Sequence, residues 1–322
     1  MKLLSIKNES VVYRSKTKNV LAVNNVSFDI DKQDSVGIVG ESGSGKSTLA
    51  LALLKLLPKN ADVTGEVLFE DKDLLKLSTD EFNDLRWKEI SIVFQKSMNS
   101  LSPIHRIGSQ MADIYTIHDG SADSDEVKGK IINLLEMVNL PTRVYTMYPH
   151  ELSGGMMQRV SIALSLMHNP KLIIMDEATT ALDVITQDYI FNLLSEIHEQ
   201  SGVTMLLLTH DIAIVAKVAD RIGVMYAGHL VEVGDVYSIF DNPIHPYTSG
   251  LLKAVPSVID QGEERKPVIG SPPDLIDLPS GCPFHPRCSY AKPICKKEIP
   301  SMSVADNDHI VFCHKFNNHD YQ

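Results

Sequence analysis

No uninterrupted apolar run in this 322-residue chain approaches the roughly 20 residues that a membrane-spanning helix needs. One of the longest, Leu49 to Leu54, reaches about a third of that length, so the chain is not expected to cross a bilayer. The opening residues, Met1 to Glu9, contain no apolar h-region followed by a small-residue cleavage site. Export is therefore not expected, and the cytoplasm is the expected compartment. An excess of positive charge is missing as well. Thirty Lys and Arg stand against 41 Asp and Glu, a net charge of -11, the wrong sign for a protein whose affinity comes from neutralising nucleic-acid phosphates. Eighteen Gly and 16 Pro fall short of low-complexity levels, and no internal repeat is present. Wholesale disorder is excluded, since 43% of the residues are hydrophobic and can form a substantial core. Cysteine is absent until Cys282, after which Cys288, Cys295 and Cys313 follow within the last part of the chain.

At 35.7 kDa the chain exceeds the size at which a single core usually stops growing, which predicts one large domain with an appendage, or two domains. Short apolar strands alternate with helix-period segments up to about residue 235, the pattern of an α/β unit with a mainly parallel sheet. The clearest strands are Ser35 to Val39, Lys171 to Met175 and Thr204 to Thr209. From roughly 80 to 158 the chain reads as charged and helical, with helices over Asp80 to Trp87 and Val127 to Val138 around a polar stretch at 118–125. Beyond about 235, prolines from Pro243 and Pro256 through Pro267 to Pro300 break any long regular element, so something other than long helices must hold this tail.

Gly40-Glu41-Ser42-Gly43-Ser44-Gly45-Lys46-Ser47 fits the pattern G-x-x-x-x-G-K-[ST] between a strand ending at Val39 and a helix continuing through Thr48. In such a loop the glycines let backbone N–H groups turn inward on an anion, and the helix N-terminus adds its dipole. Lys46 is then expected to reach the β- and γ-phosphates of a nucleotide, and Ser47 to ligate Mg²⁺. Asp176-Glu177 closes a second apolar strand. Asp176 is placed to hold Mg²⁺ through water, and Glu177 to accept a proton from attacking water. His210 ends a third strand and is a candidate contact to the γ-phosphate.

Between these motifs lies Leu152-Ser153-Gly154-Gly155-Met156-Met157-Gln158-Arg159, which closely resembles the signature of ATP-binding-cassette (ABC) ATPases. The remaining motifs of that family follow in order. Gln95, after Ile92-Val93-Phe94, resembles the Q-loop, Ala181-Leu182-Asp183 the D-loop, and His210 the switch histidine; Tyr13 resembles the aromatic on which adenine stacks. The resemblance covers residues 1–235. It implies a P-loop, RecA-like α/β core with a helical signature subdomain at about 86–158, followed at 236–322 by a small irregular extension. It also implies Gln95 as a second Mg²⁺ contact, and a nucleotide site built from Gly40, Ser42 to Thr48, Asp176 and Asp183. Ser153, Gly154 and Gly155 would serve the ATP held by an opposite subunit, so that two ATPs lie between two head-to-tail cassettes. Met156 stands where Gln is usual in the family and Ala178 where Pro is common, and neither position supplies a group the chemistry requires.

Phe94 to Pro103 resembles the segment that follows the Q-loop in the oligopeptide, dipeptide and nickel importer branch, which docks on a cytoplasmic helix of the membrane subunit. Asn242-Pro243-Ile244-His245-Pro246-Tyr247-Thr248 resembles the C-terminal signature of that branch, although a Pro-rich turn around a packed tyrosine explains the same residues without any catalytic duty. The four cysteines run C-x5-C-x6-C-x17-C, without the tight C-x2-4-C pair usual at zinc sites. Thiolates at one soft-metal centre, a zinc site with or without His285 or His314, and metal-free thiols all remain open, while a disulfide is disfavoured in a reducing cytosol. Similarity to dipeptide-importer ATPases, carried by Cys282-Pro283-Phe284-His285-Pro286-Arg287-Cys288, implies a [4Fe-4S] cluster on Cys282, Cys288, Cys295 and Cys313.

The resemblance thus implies an ATP-hydrolysing subunit that drives import of di- or oligopeptides. Its partners would be a second cassette, two transmembrane permease subunits and an external solute-binding protein, and nucleic acid is not among them. Such a chain sits peripherally on the cytoplasmic face of the membrane. A nickel or other small-solute importer is the alternative, followed by a soluble regulatory ATPase whose tail is an iron–sulfur sensor.

Overall fold

The computed structural model describes residues 1–94, 101–120, 123–179, 182–254, 268–305 and 308–317. Gln95, the residues after it to Ser100, Ala181, Pro256 and Pro267 lie outside the described residues, as do positions 121–122 of the polar stretch. The chain divides into two units. One comprises Met1–Asp31, Val36–Leu75 and Leu208–Gln322, and the other Lys32–Ser35 and Lys76–Leu207.

The first stretch of the chain forms β1 (Lys2–Tyr13), β2 (Val20–Asp31), β3 (Ser35–Val39), α1 (Lys46–Leu53), β4 (Ala61–Phe69) and β5 (Lys72–Asp73). Four of these strands make an antiparallel sheet in the order β2-β1-β4-β5, whereas β3 belongs to a separate sheet and pairs in parallel. The burial pattern supplies the reason. In β2, Val26, Phe28 and Ile30 point inward while Ser27 and Asp29 point away, the alternation of a sheet covered on one face. In β3 all five residues are buried, as in a strand covered on both faces.

The second unit carries α2 (Thr79–Leu85), β6 (Ile90–Val93), α3 (Ile107–Asp119), α4 (Ser124–Met137), α5 (Gly154–Ser165), β7 (Leu172–Asp176), α6 (Val184–Ser201) and most of β8 (Thr204–Thr209). Its strands run in the order β8-β7-β6, with β6 and β7 parallel from Ile90↔Leu172 to Val93↔Met175. Helix α2 begins at a reciprocal capping box between Ser78 and Glu81. It stops two residues short of the expected Trp87, because Arg86 is already extended with ψ 135 and Trp87 follows at φ 70. Helix α4 begins three residues before the expected Val127, because the Asp123 carboxylate accepts the N–H of Asp125 and caps it.

Returning to the first unit, the chain forms α7 (Ile212–Val215), β9 (Arg221–Tyr226), β10 (His229–Asp235), α8 (Val236–Asp241) and α9 (Pro246–Ala254), and later β11 (Ser303–Val304), β12 (Ile310–Val311) and α10 (His314–Asn317). The strand order here is β11-β12-β10-β9-β3, with β3 and β9 parallel and β10 antiparallel to both β9 and β12. The tail is short-pieced, as its prolines require, with single 3-10 turns at His285–Arg287 and Pro293–Lys296. It shares the core of the first unit. Tyr247 and Phe284 pack on Tyr226, with ring centroids 4.6 and 5.2 Å away, in a cluster that includes Val39, Ile222 and Ile239.

Candidate functional site

In the first unit the phosphate loop occupies the turn between β3 and α1. Gly45 caps α1 with φ 105, and a Cβ there would lie 2.4 Å from the carbonyl oxygen of Ala22, so the position admits only glycine. Lys46 is buried, and its ammonium donates to the carbonyl oxygens of Gly40 at 2.7 Å and Glu41 at 3.1 Å and to Ser44 Oγ at 3.3 Å. These loop oxygens hold the Lys46 ammonium against the turn. Ser47 and Thr48 lie in the first turn of α1, the end of a helix whose dipole favours an anion. Tyr13, at the end of β1, places its hydroxyl 3.3 Å from Thr48 Oγ1, which brings the aromatic candidate beside the loop. His210 is exposed just after β8, and the next residue, Asp211, caps α7 by accepting the N–H groups of Ala213 and Ile214.

In the second unit Asp176 ends β7 buried, and Glu177 follows half-buried with φ 46. A left-handed conformation at a residue with a Cβ costs on the order of 1–2 kcal/mol and is characteristic of functional turns. The signature lies at the start of α5. Ser153 caps that helix, its Oγ accepting the N–H of Met156 at 3.3 Å, and is itself exposed. Gly155 faces Thr186 so closely that a Cβ would sit 2.6 Å from Thr186 Cγ2. Thr186 is in turn held by Asp183, whose carboxylate accepts its backbone N–H at 2.9 Å and its hydroxyl at 2.7 Å. These bonds hold the Asp183 carboxyl below the usual carboxylate range. Gly155 and Asp183 thus both meet Thr186 within one unit, with Val184 and Ile185 exposed beside it.

The four cysteines of the tail form no disulfide and line one small cavity together with His245, His285 and His314. Burial pushes Cys282 up to about 12 and raises Cys288 and Cys313 as well, which favours neutral thiols. Among the described residues no group of three or more His, Cys, Asp or Glu side chains stands positioned to hold a metal ion. The four cysteines line one cavity, and thiols are donors that soft metals prefer.

Sequence reasoning missed the role of Glu232 in the tail. Fully buried on β10, its carboxylate accepts the N–H groups of Ile244 and His245 and pairs with His309 Nε2 at 2.8 Å, so one side chain organises the His245-Pro246-Tyr247 turn. These partners are up to 77 residues away in sequence, and no local pattern announces them.

Comparison with known proteins identifies the chain's relatives. Residues 23–180 match the family described as ABC transporter, and residues 231–295 match the C-terminal region of oligopeptide/dipeptide transporters. The dipeptide transport ATP-binding protein DppD of Caldanaerobacter subterraneus subsp. tengcongensis is 42% identical over 316 residues, covering 98% of this chain and 97% of its own length. The oligopeptide transport ATP-binding protein OppD of Escherichia coli is 41% identical over 300 residues, covering 92% of this chain and 89% of its own. A solved dimeric ATP-binding cassette in a post-hydrolysis state, bound to ADP and Pi, superposes with a TM-score of 0.64 at 30% identity, over 72% of this chain and 98% of that one.

Proposed function

The chain belongs to the ABC transporter family, and from that membership we propose that it is the ATP-binding and ATP-hydrolysing subunit of an importer of di- or oligopeptides. The observation that carries this reading is the joining, in one chain, of a phosphate-loop cassette to an extension of the oligopeptide/dipeptide transporter type.

Within the proposal the loop N–H groups and the start of α1 take the phosphates of ATP, Lys46 neutralises their charge, and Tyr13 stacks on adenine. Ser47 would be the ligand to Mg²⁺, with Asp176 and Gln95 proposed as further contacts from the resemblance, and the ion would supply charge neutralisation at the phosphate oxygens. Glu177 takes a proton from the attacking water, and His210 contacts the γ-phosphate. Ser153, Gly154 and Gly155 are assigned to the ATP of a second cassette. Their support is the outward-facing start of α5, bordered by exposed Val184 and Ile185, a surface suited to another protein. The second cassette, two permease subunits and an external binding protein complete the proposed assembly, which holds this chain at the cytoplasmic face of the membrane. Among the described residues no helix is long and apolar enough to cross a membrane, so attachment would run through the permeases. The finer proposal for the tail is a [4Fe-4S] cluster on Cys282, Cys288, Cys295 and Cys313; its support is that all four residues line one cavity, although among the described residues no group is already arranged to hold a metal.

Isolation of the tagged chain from detergent-solubilised membranes of its own cells tests the assembly. The proposal expects two hydrophobic permease subunits to accompany the chain in stoichiometric amount. Recovery of the chain only with soluble nucleic-acid or ribosome-bound components would overturn it.

A further inference from the structure

Two contacts from the C-terminal extension converge on one residue of the phosphate loop. Tyr247, fully buried, accepts the backbone N–H of Glu41 on its hydroxyl at 3.0 Å. Arg287, which directly precedes Cys288, sends Nη1 and Nη2 to the two carboxylate oxygens of the same Glu41 at 2.6 and 3.0 Å. The other donors of the guanidinium go to the carbonyl oxygens of Ile269 at 3.0 Å and Gly270 at 2.9 Å, and to the Tyr226 hydroxyl at 3.3 Å. The Arg287 side chain is 6% exposed. A two-pronged pair with so little water around it fixes orientation as well as distance.

Glu41 is also a partner of Lys46, since its carbonyl oxygen is one of the three loop oxygens that accept from the ammonium. Whatever sets the Glu41 backbone therefore sets part of the cradle of the phosphate-binding lysine. Beside this contact lies a cavity of about 380 Å³, bounded by Ser42 and Gly43 of the loop, by Leu275 and Ile276 of the extension, and by Val20. Val20, which pairs across the strands with Tyr13, thus joins loop and extension residues around one space.

We infer that the C-terminal extension is part of the nucleotide site: Tyr247 and Arg287 are positioning residues that hold Glu41, and through it Lys46, in the arrangement that receives the phosphates of ATP. The inference rests on the ATP-binding reading of the loop. It adds that the tail, besides any metal it carries, acts on nucleotide affinity.

The test measures ATP binding by the full-length chain, using displacement of trinitrophenyl-ATP, with circular dichroism as a check on folding. Arg287→Met and Glu41→Gln are each expected to weaken ATP binding by roughly ten-fold, a typical penalty for a misplaced binding group. The double variant is expected to be no weaker than the worse single, because both changes open one latch. Arg287→Lys, which keeps the charge and loses the fork, recovers part of the affinity, and in the assembled transporter the KM for ATP rises by more than kcat falls. Tyr247→Phe keeps the aromatic cluster packed and removes only the acceptor, so it decides the matter if Arg287→Met does not fold. Wild-type affinity in folded Arg287→Met or in Tyr247→Phe, or additive losses in the double variant, would overturn the inference. A wild-type chain that bound no ATP would instead refute the reading on which the inference rests.

Discussion

Glu9 allows a quantitative test of how this chain balances burial against charge. It lies on β1 between register shifts, its side chain has no exposure, and neither carboxylate oxygen has a hydrogen-bond partner among the described residues. Burial raises its pKa from 4.5 to about 8. Because the folded value lies above the unfolded one, the folded chain holds the proton more tightly. The stability this contributes is fully present below pH 4.5, declines as pH rises, and is gone above about 8. The gap between those two values, at about 1.4 kcal/mol per pH unit, corresponds to roughly 5 kcal/mol, enough to rival the whole stability of a domain. Glu9→Gln preserves shape and removes the titration. Denaturant unfolding of both proteins from pH 4 to pH 9 isolates the effect, since every other titrating group is common to both. The variant is expected to gain on the wild type steadily between pH 5 and 8, by several kcal/mol in all, and the difference should be flat outside that window. Parallel stability curves across the whole range would refute the reasoning and place water or a cation at the Glu9 carboxylate.

Three further outcomes follow from the site. Glu177→Gln is expected to lower ATP hydrolysis in the assembled complex by about 100-fold or more while ATP remains bound, as turnover with product quantification would show. Gly155→Ala drives a methyl group against Thr186, whose rotation is opposed by its two bonds to Asp183; a loss of about 1–3 kcal/mol in thermal unfolding is expected, largely recovered by adding Thr186→Ser. The proposed cluster predicts about four iron and four acid-labile sulfide per chain with broad visible absorbance in protein purified without oxygen, and zinc or no metal in that preparation would refute it.

The buried strands were legible because they are continuous apolar runs. Ser35 to Val39 and Thr204 to Thr209 are β3 and β8 to the residue, and the Lys171 to Met175 segment is β7 displaced by one position. The phosphate loop was legible for a related reason: its glycines and lysine act within a few residues of one another, so their geometry is written locally. Strands β1 and β2 were not legible as an antiparallel pair, because pairing partners such as Tyr13 and Val20 are identified only by a register that the turn between them sets. The grip of Arg287 on Glu41 spans 246 residues, and a lone arginine between two cysteines gives no sign of its partner. Glu9 was missed for the opposite reason. A glutamate in a strand is read as an outward-facing residue, and here the bulged register turns it inward.

The claim that most needs testing is that ATP turnover by this chain drives peptides across a membrane. Uptake of a radiolabelled dipeptide into vesicles containing the assembled complex, with ATP supplied on the face that holds this chain, measures it directly. The account predicts ATP-dependent uptake that requires the external binding protein and is abolished by Glu177→Gln. Undiminished uptake in that variant, or transport of nickel ions with none of any peptide, would contradict it.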